Sequence, residues 1–352
     1  MRGNRSIALI FLCAALVYPI IFRDPYFLHM AILGGIYTLL AISINLLLGY
    51  TGQLSLGHAA FFGVGAYISS LMYLNLGIPI WGGIIAALFG SAILGFIVAK
   101  IAFKLRGAYF VIMTIGIAEV LKLVALNWVD LTNGPMGLTD IAAPKIDLGW
   151  AGLIDFGQKM PYYYLTLFFV VLSVLLQYRL VHSSYGRSFI SIRENEDLAA
   201  SIGIDCYKYL VVVVIISCSI AGIAGSLYAH YVSFIDPGVF VFFISVNAVM
   251  AAIGGGQGTL AGPILGAMLF TLIPEWLRVF GDARMAIYAL VVIFIVIFMP
   301  KGILFYATQL LKLGAPSSSP SPPQPGERAG ARGKDKTGNS YTMNVGKRTD
   351  GR

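Results

Sequence analysis

HMAILGGIYTLLAISINLLLGYTGQLSLGHAAF, residues 29–61, decides the fold. Residues 29–48 are an apolar run with no Asp, Glu, Lys or Arg. At about 1.5 Å per residue such a run crosses about 30 Å of hydrocarbon as one helix. Residues 49–58 then break the pattern with Gly49, Gly52 and Gly57 and with Thr51, Gln53, Ser55 and His58. Non-helical backbone survives at membrane depth only where protein or a water-filled cavity supplies hydrogen-bond partners. Two readings are open for this break. It lines a pathway, or it is an interfacial loop followed by a glycine-rich packing face at Gly57, Gly63 and Gly65.

Apolar runs recur outward from this segment, from residue 7 to residue 300. The 352-residue chain is 58% hydrophobic and 11% charged, where a soluble domain carries about 25% charged residues. One soluble core could not enclose so many runs, which excludes a soluble enzyme. The 40 glycines suit close contact between membrane helices. The expectation is an all-α polytopic transmembrane helical bundle. Its ten expected spans, within a range of eight to eleven, are 7–22, 29–48, 58–76, 80–99, 108–129, 161–178, 209–229, 240–254, 261–277 and 285–299. Those between 240 and 277 read as broken or tilted. The start, Arg2 and Arg5 before Ile7–Phe22, imitates a signal peptide but has no A-x-A site, so it reads as a retained first span.

Charge sets the expected orientation. Segment 100–107 carries Lys100, Lys104 and Arg106 with no acid, and segment 179–208 carries Arg179, Arg187, Arg193 and Lys208. Segment 130–160 sets Asp130, Asp140, Asp147 and Asp155 against Lys145 and Lys159. The positive-inside rule makes the first two cytoplasmic and 130–160 extracytoplasmic. The membrane domain is expected over 1–305, followed at 306–352 by a disordered basic cytoplasmic tail, Ser- and Pro-rich from residue 315. From residue 301 onward nine basic and three acidic residues give +6 of the chain's +8. Anionic lipid is a reasonable partner for that charge, as is an inert tail; nucleic acid is not expected. Cys13, Cys206 and Cys218 have no CxxC spacing and the four histidines no H-x3-H pair, so neither a metal nor a cofactor is expected.

Three further stretches stand out. Ala251–Pro263, AAIGGGQGTLAGP, lacks the lysine of a phosphate loop and follows no strand, so it reads as a sharp turn between close-packed helices. The loop Ser183–Asp205 reads as a short amphipathic helix over Ser188–Ile202, stopped at Gly203. Phe189, Ile192, Ala199 and Ala200 would form its apolar face and Arg187, Arg193, Glu194 and Glu196 its rim, and mixed charge favours a protein partner over lipid. Glu119 and Lys122 share a face within one span, as a structural pair or as part of a pathway.

Several blocks together carry a resemblance. NLLLGYTGQLSLGHAAF (45–61), GRSFISIRENEDLAASIGI (186–204), AGIAGSLYAH (221–230), AAIGGGQGTLAGPILG (251–266) and Pro300-Lys301-Gly302 occur in the order seen in the LivM-type permease subunits of branched-chain amino acid ABC importers. The resemblance runs from about residue 30 to 305, and the tail has no counterpart. It implies a multi-pass permease in a bacterial cell (inner) membrane, catalysing no covalent chemistry, that forms a path for leucine, isoleucine or valine. It implies as partners a homologous LivH-type permease, two cytoplasmic ABC ATPase subunits and a periplasmic or extracellular amino-acid-binding protein. The path candidates are Gln53, Ser55, Gly57, His58, Glu119, Gly255, Gly256 and Gln257. The ATPase-coupling candidates are Gly186, Arg187, Arg193, Glu194, Glu196, Ala199, Ala200 and Gly203, where residues 196–203 resemble the loose E-A-A…G loop of such permeases, departing from it by Leu198. Related urea and short-amide permeases share much of this pattern. A different class, a stand-alone secondary transporter coupled through Glu119 and His58, lacks the inverted repeat it would favour.

Overall fold

The computed structural model describes residue 13 and residues 15–22, 24–102, 107–147, 153–299, 302–306 and 309. The expectations for residues 1–12, for Lys104 and Arg106, for Pro300 and Lys301, and for the tail beyond 309 lie outside the described residues.

Residues 15–21 are helical, and the long helices follow. They are α1 (Pro25–Thr51), α2 (His58–Leu76), α3 (Ile80–Ala102), α4 (Ala108–Asn127) and α5 (Lys159–Val181). Two short helices, α6 (Ser184–Glu194) and α7 (Glu196–Ser201), lead into α8 (Cys206–Val232). Three of middle length close the domain: α9 (Phe242–Gly256), α10 (Gly262–Trp276) and α11 (Arg284–Phe298). Local signals set the limits of α1. The Asp24 side chain accepts from the Tyr26 N–H, Pro25 takes the first turn, and Gly52 closes the helix in the left-handed conformation.

Helices α1 and α8 form the enclosed centre, with 78% and 72% of their apolar windows buried against 22% for α4. Ile32, Ile36, Leu39 and Leu40 of α1 are fully buried. Small residues set the closest approaches: a Cβ on Gly225 of α8 would overlap the Phe62 carbonyl, and one on Gly65 of α2 the Gly222 carbonyl.

Among the described residues, six helices are long and apolar enough to cross a membrane, α1 to α5 and α8, and they coincide with six of the ten expected spans; those expected at 240–254, 261–277 and 285–299 coincide with the shorter α9, α10 and α11. Helices α9, α10 and α11 have 15 residues each, about 22 Å at the α-helical rise and short of a perpendicular crossing. The physical reasons are local. Helix α9 stops after three consecutive glycines, Gly254 to Gly256, where the backbone turns extended at Gln257. Helix α10 carries Pro274 and runs into the 3-10 segment Leu277–Ala283. The bundle is helical as expected, with one small addition: segment 130–160 includes a short antiparallel pair, β1 (Lys145–Asp147) and β2 (Leu153–Asp155).

Contacts between chain-distant residues define two ends of the bundle. At one end Leu138 and Ile235 form a β-bridge, His230 Nδ1 meets the Ala142 carbonyl at 2.8 Å, and Lys159 donates to the Pro25 carbonyl at 3.0 Å. At the other end Arg193 donates to the Gly49 carbonyl at 2.8 Å. Segments 130–160 and 179–208 thus sit at opposite ends, with α5 running between them.

The expected turn between close-packed helices is present at 257–261. In the α9–α10 hairpin a Cβ on Gly266 would overlap the Ala251 carbonyl, and one on Gly255 the Gly262 carbonyl. Gly266→Leu should therefore overpack the hairpin by about 1–3 kcal/mol or more. A lower melting temperature of the purified protein in detergent is expected; an unchanged one would contradict the close packing.

Candidate translocation face and inner junction

Helix α1 ends at Thr51 and α2 begins at His58; Gly52 and Gln53 close α1 on the Leu48 and Leu47 carbonyls, and 54–57 lie outside the helical ladder. Hydroxyl side chains take over. The Leu56 N–H donates to Thr114 Oγ1 at 3.3 Å, the Gly57 N–H to Ser55 Oγ at 3.4 Å and the Ala59 N–H to Ser245 Oγ at 2.8 Å. His58 joins the same network: Nδ1 lies 3.0 Å from Ser55 Oγ and Nε2 lies 2.8 Å from Ser217 Oγ. Ser217 Oγ donates to the Ser43 carbonyl at 2.6 Å. Its proton is thereby committed, so it accepts from His58 Nε2–H, and Nδ1 accepts from Ser55. The imidazole is a neutral brace between α1, α2 and α8. Ser55 and His58 are 2% and 1% exposed, and Gly57 leaves no room for a Cβ beside the Thr114 backbone. Of the path candidates in this stretch, Gln53 alone is partly open.

Helix α4 has a different character. Phe110, Thr114, Ala118 and Ala125 form its buried stripe. On the opposite side Ile112, Val120 and Leu123 are exposed, and a Cβ on Gly116 would meet nothing within 4 Å. Glu119 lies midway along this helix and pairs with Lys122 at 2.9 Å, with 51% of its side chain exposed. A charged pair on an uncovered face halfway along a membrane helix is costly against hydrocarbon and suits protein or water.

The remaining path candidates lie elsewhere. Gly255 and Gly256 are buried in the α9–α10 hairpin and Gln257 is exposed at its turn. The Asn45 side chain clamps this turn to α1: Nδ2 donates to the Thr259 carbonyl at 2.9 Å and Oδ1 accepts from the Gly258 N–H at 2.8 Å. Thr259 Oγ1 in turn donates to the Gly256 carbonyl and accepts from the Gly262 N–H. Glycine-rich stretches distant in sequence thus meet at this inner junction, but Glu119 does not join them.

The loop 183–205 differs from the expected single helix. Asn195 is extended and divides it, accepting from the Leu198 N–H at 2.9 Å as the N-cap of α7. The expected apolar docking face is also turned inward: Phe189, Ile192 and Ala199 are 0%, 3% and 2% exposed. Their burial fastens the loop to the bundle. The most exposed apolar side chains of the loop are Leu198 and Ile202, at 63% and 69%, beside exposed Ala200. Gly186 packs on the Val181 backbone, Arg187 is exposed and Glu196 half-buried, and Glu194 pairs with Arg193 at 2.8 Å. Gly203 has φ +89°, and its N–H closes the turn on the Ala200 carbonyl at 3.0 Å. Just beyond, hydrogen bonds from Lys208 hold the Asp205 carboxyl below the usual carboxylate range.

Sequence reasoning missed Asn45, Thr114, Ser217 and Ser245. Each is a polar residue within an apolar run, and that isolation was the available signal. Leu198 and Ile202 carried none, because the register of the loop depends on the break at Asn195.

The comparisons extend over this whole region. Residues 26–299 match the family model described as branched-chain amino acid transport system / permease component. The chain is 29% identical over 296 residues to the high-affinity branched-chain amino acid transport system permease protein LivM of Salmonella typhimurium, covering 79% of this chain and 70% of that protein. It is 23% identical over 292 residues to LivH of Escherichia coli, covering 77% of this chain and 92% of that protein. BraD of Pseudomonas aeruginosa is 24% identical over 290 residues, covering 77% and 92%. No solved structure matches the chain. With the family model covering the helical bundle from α1 to α11, this multi-pass membrane protein belongs to the family of branched-chain amino acid transport permease components.

Proposed function

We propose that the chain is the LivM-type half of an ATP-driven importer of leucine, isoleucine and valine in the bacterial inner membrane. The observation that carries a path-forming role is the Glu119–Lys122 pair on the uncovered face of α4. A lipid-facing helix would not keep a charged pair at mid-length, whereas a path shared with a second permease gives it water and polar neighbours. The partner is a LivH-type permease; similarity to both LivM and LivH supports a pair built from related chains.

In this reading the basic segment 179–208 faces the cytoplasm and 130–160 faces the binding protein outside. The three 15-residue helices cross at a tilt or together with their irregular extensions. With the N-terminal helix they bring the crossings to ten. Glu119 and Gln53 belong to the path, together with Gln257 at its inner end. Ser55, Gly57 and His58 brace the wall behind it, and Gly255 and Gly256 allow the close hairpin. The cytoplasmic ATPases dock on α6 and α7 through Leu198, Ala200 and Ile202, with Arg187, Glu194 and Glu196 around them. Gly186 and Gly203 set the two turns of the loop, and Ala199 anchors α7.

Substrate class is tested in proteoliposomes holding the assembled transporter and its binding protein. Uptake of labelled leucine should fall on adding isoleucine or valine and stay unchanged with urea or acetamide. The reverse pattern would move the substrate to the amide class. The docking face is tested separately. Ile202→Asp should insert normally yet reduce the ATPase that co-purifies with the permease by about tenfold, the loss of one apolar anchor of roughly 1.4 kcal/mol. Unchanged co-purification would show that α7 is not the docking face.

A further inference from the structure

We propose that Arg193 is the positioning residue that transmits movement of the cytoplasmic loop to both glycine breaks of the membrane domain at once. The proposal rests on the reading of α6 and α7 as the ATPase docking loop. It goes beyond that reading by naming the side chain that carries the coupling and the two backbone elements that receive it.

Arg193 is the penultimate residue of α6, two positions before the break at Asn195. Its Nη1 donates to the Gly49 carbonyl at 2.8 Å, and its Nη2 holds Glu194 at 2.8 Å. Gly49 lies in the last turn of α1, where carbonyls lack the usual intrahelical partner and the helix dipole favours a cation. The Gln53 N–H, four residues on, goes instead to the Leu47 carbonyl at 3.3 Å. The stem of Arg193 runs over Gly52, where Cγ would stand 3.1 Å from an added Cβ. Nη1 also stands 3.2 Å from the Cβ position of Gly258, in the α9–α10 turn. One guanidinium therefore bonds the end of α1 and lies beside the far turn at Gly258.

Those two elements are already locked to each other. Gly49 and Gly258 approach too closely to admit a Cβ on Gly49, and both hydrogen bonds of Asn45 hold the turn against α1. Gly302, which follows α11, lies directly on Gly256. A shift of α6 applied through Arg193 thus reaches α1, α9, α10 and the chain leaving α11. Buried Phe189 and Ile192 hold α6 against the bundle beside this contact. A merely structural anchor would not need this side chain. Arg193 is 37% exposed, so water can serve the Gly49 carbonyl once the arginine is gone. Lysine offers a point charge with no planar fork and cannot hold the same two directions.

The test uses the complete transporter in proteoliposomes and reads ATPase retention, ATP hydrolysis and leucine uptake. Arg193→Ala is expected to keep ATPase retention and hydrolysis within about twofold while leucine moved per ATP falls at least about tenfold. Arg193→Lys should fall between that and the unmodified protein, and Arg179→Ala, which removes a charge from the same end of the bundle, should leave the ratio unchanged. An unchanged ratio in Arg193→Ala overturns the proposal. So does a loss of uptake that only tracks a loss of assembled complex, because that is the behaviour of an anchor. Should Arg193→Ala fail to insert, an unchanged ratio in Arg193→Lys overturns it equally. Failure of the unmodified permease to retain the ATPases would instead remove the docking reading, and the proposal with it.

Discussion

A backbone N–H or C=O at membrane depth must be satisfied by protein or trapped water, because hydrocarbon offers nothing. The rest of this structure depends on that constraint. Where the chain stays helical the requirement is met locally. Where it breaks, at 52–57 and at 257–261, the structure sends side chains to meet it. Thr114, Ser55 and Ser245 accept from the first break, and Asn45 and Thr259 serve the second. His58 ties the first break to α8 through Ser217. With both ring nitrogens engaged by serines, it is a good brace.

The same constraint separates enclosed helices from an open one. Helices α1 and α8 are enclosed on nearly all sides, while α4 presents one packed stripe and one uncovered face bearing Glu119 and Lys122. A monomer surrounded by lipid would have little use for that face. A permease paired across a polar path would need it, which is why family membership and the exposure of α4 support each other. The inner junction adds the mechanical half. The glycine breaks adjoin each other and the loop 183–205, so a small displacement of the loop need not be relayed through the whole bundle.

Much of this was legible in the sequence because hydropathy and glycine are strong local signals. The apolar runs located α2, α3, α4 and α8 closely, and the charges separated 130–160 from 179–208 without any structure. The run GGGQG was read as a tight turn, and a tight turn it is, although Gly254, Gly255 and Gly256 themselves remain in α9. The bounds of α9, α10 and α11 were also legible to within two residues, because the glycines, Pro263 and the charges Glu275 and Arg284 interrupt the apolar runs; what they left open is how such short helices cross. The orientation of the loop was misread. Phe189 and Ile192 do lie on one face of α6, but periodicity cannot say whether an apolar face meets a partner or the protein's own helices. Tertiary packing consumed that face and left Leu198 and Ile202 outside.

The account's central claim is that the uncovered face of α4 borders an aqueous path in the assembled transporter. Cysteine scanning along α4 tests this most directly, in a protein whose Cys13, Cys206 and Cys218 have been replaced and which is reconstituted with its partners. Cysteines at Ile112, Gly116, Val120 and Leu123 should react with a membrane-impermeant thiol reagent and be protected by leucine, while those at Phe110, Thr114 and Ala118 should stay unreactive. Absence of reaction along the whole open face, or equal reaction on both faces, would contradict the claim.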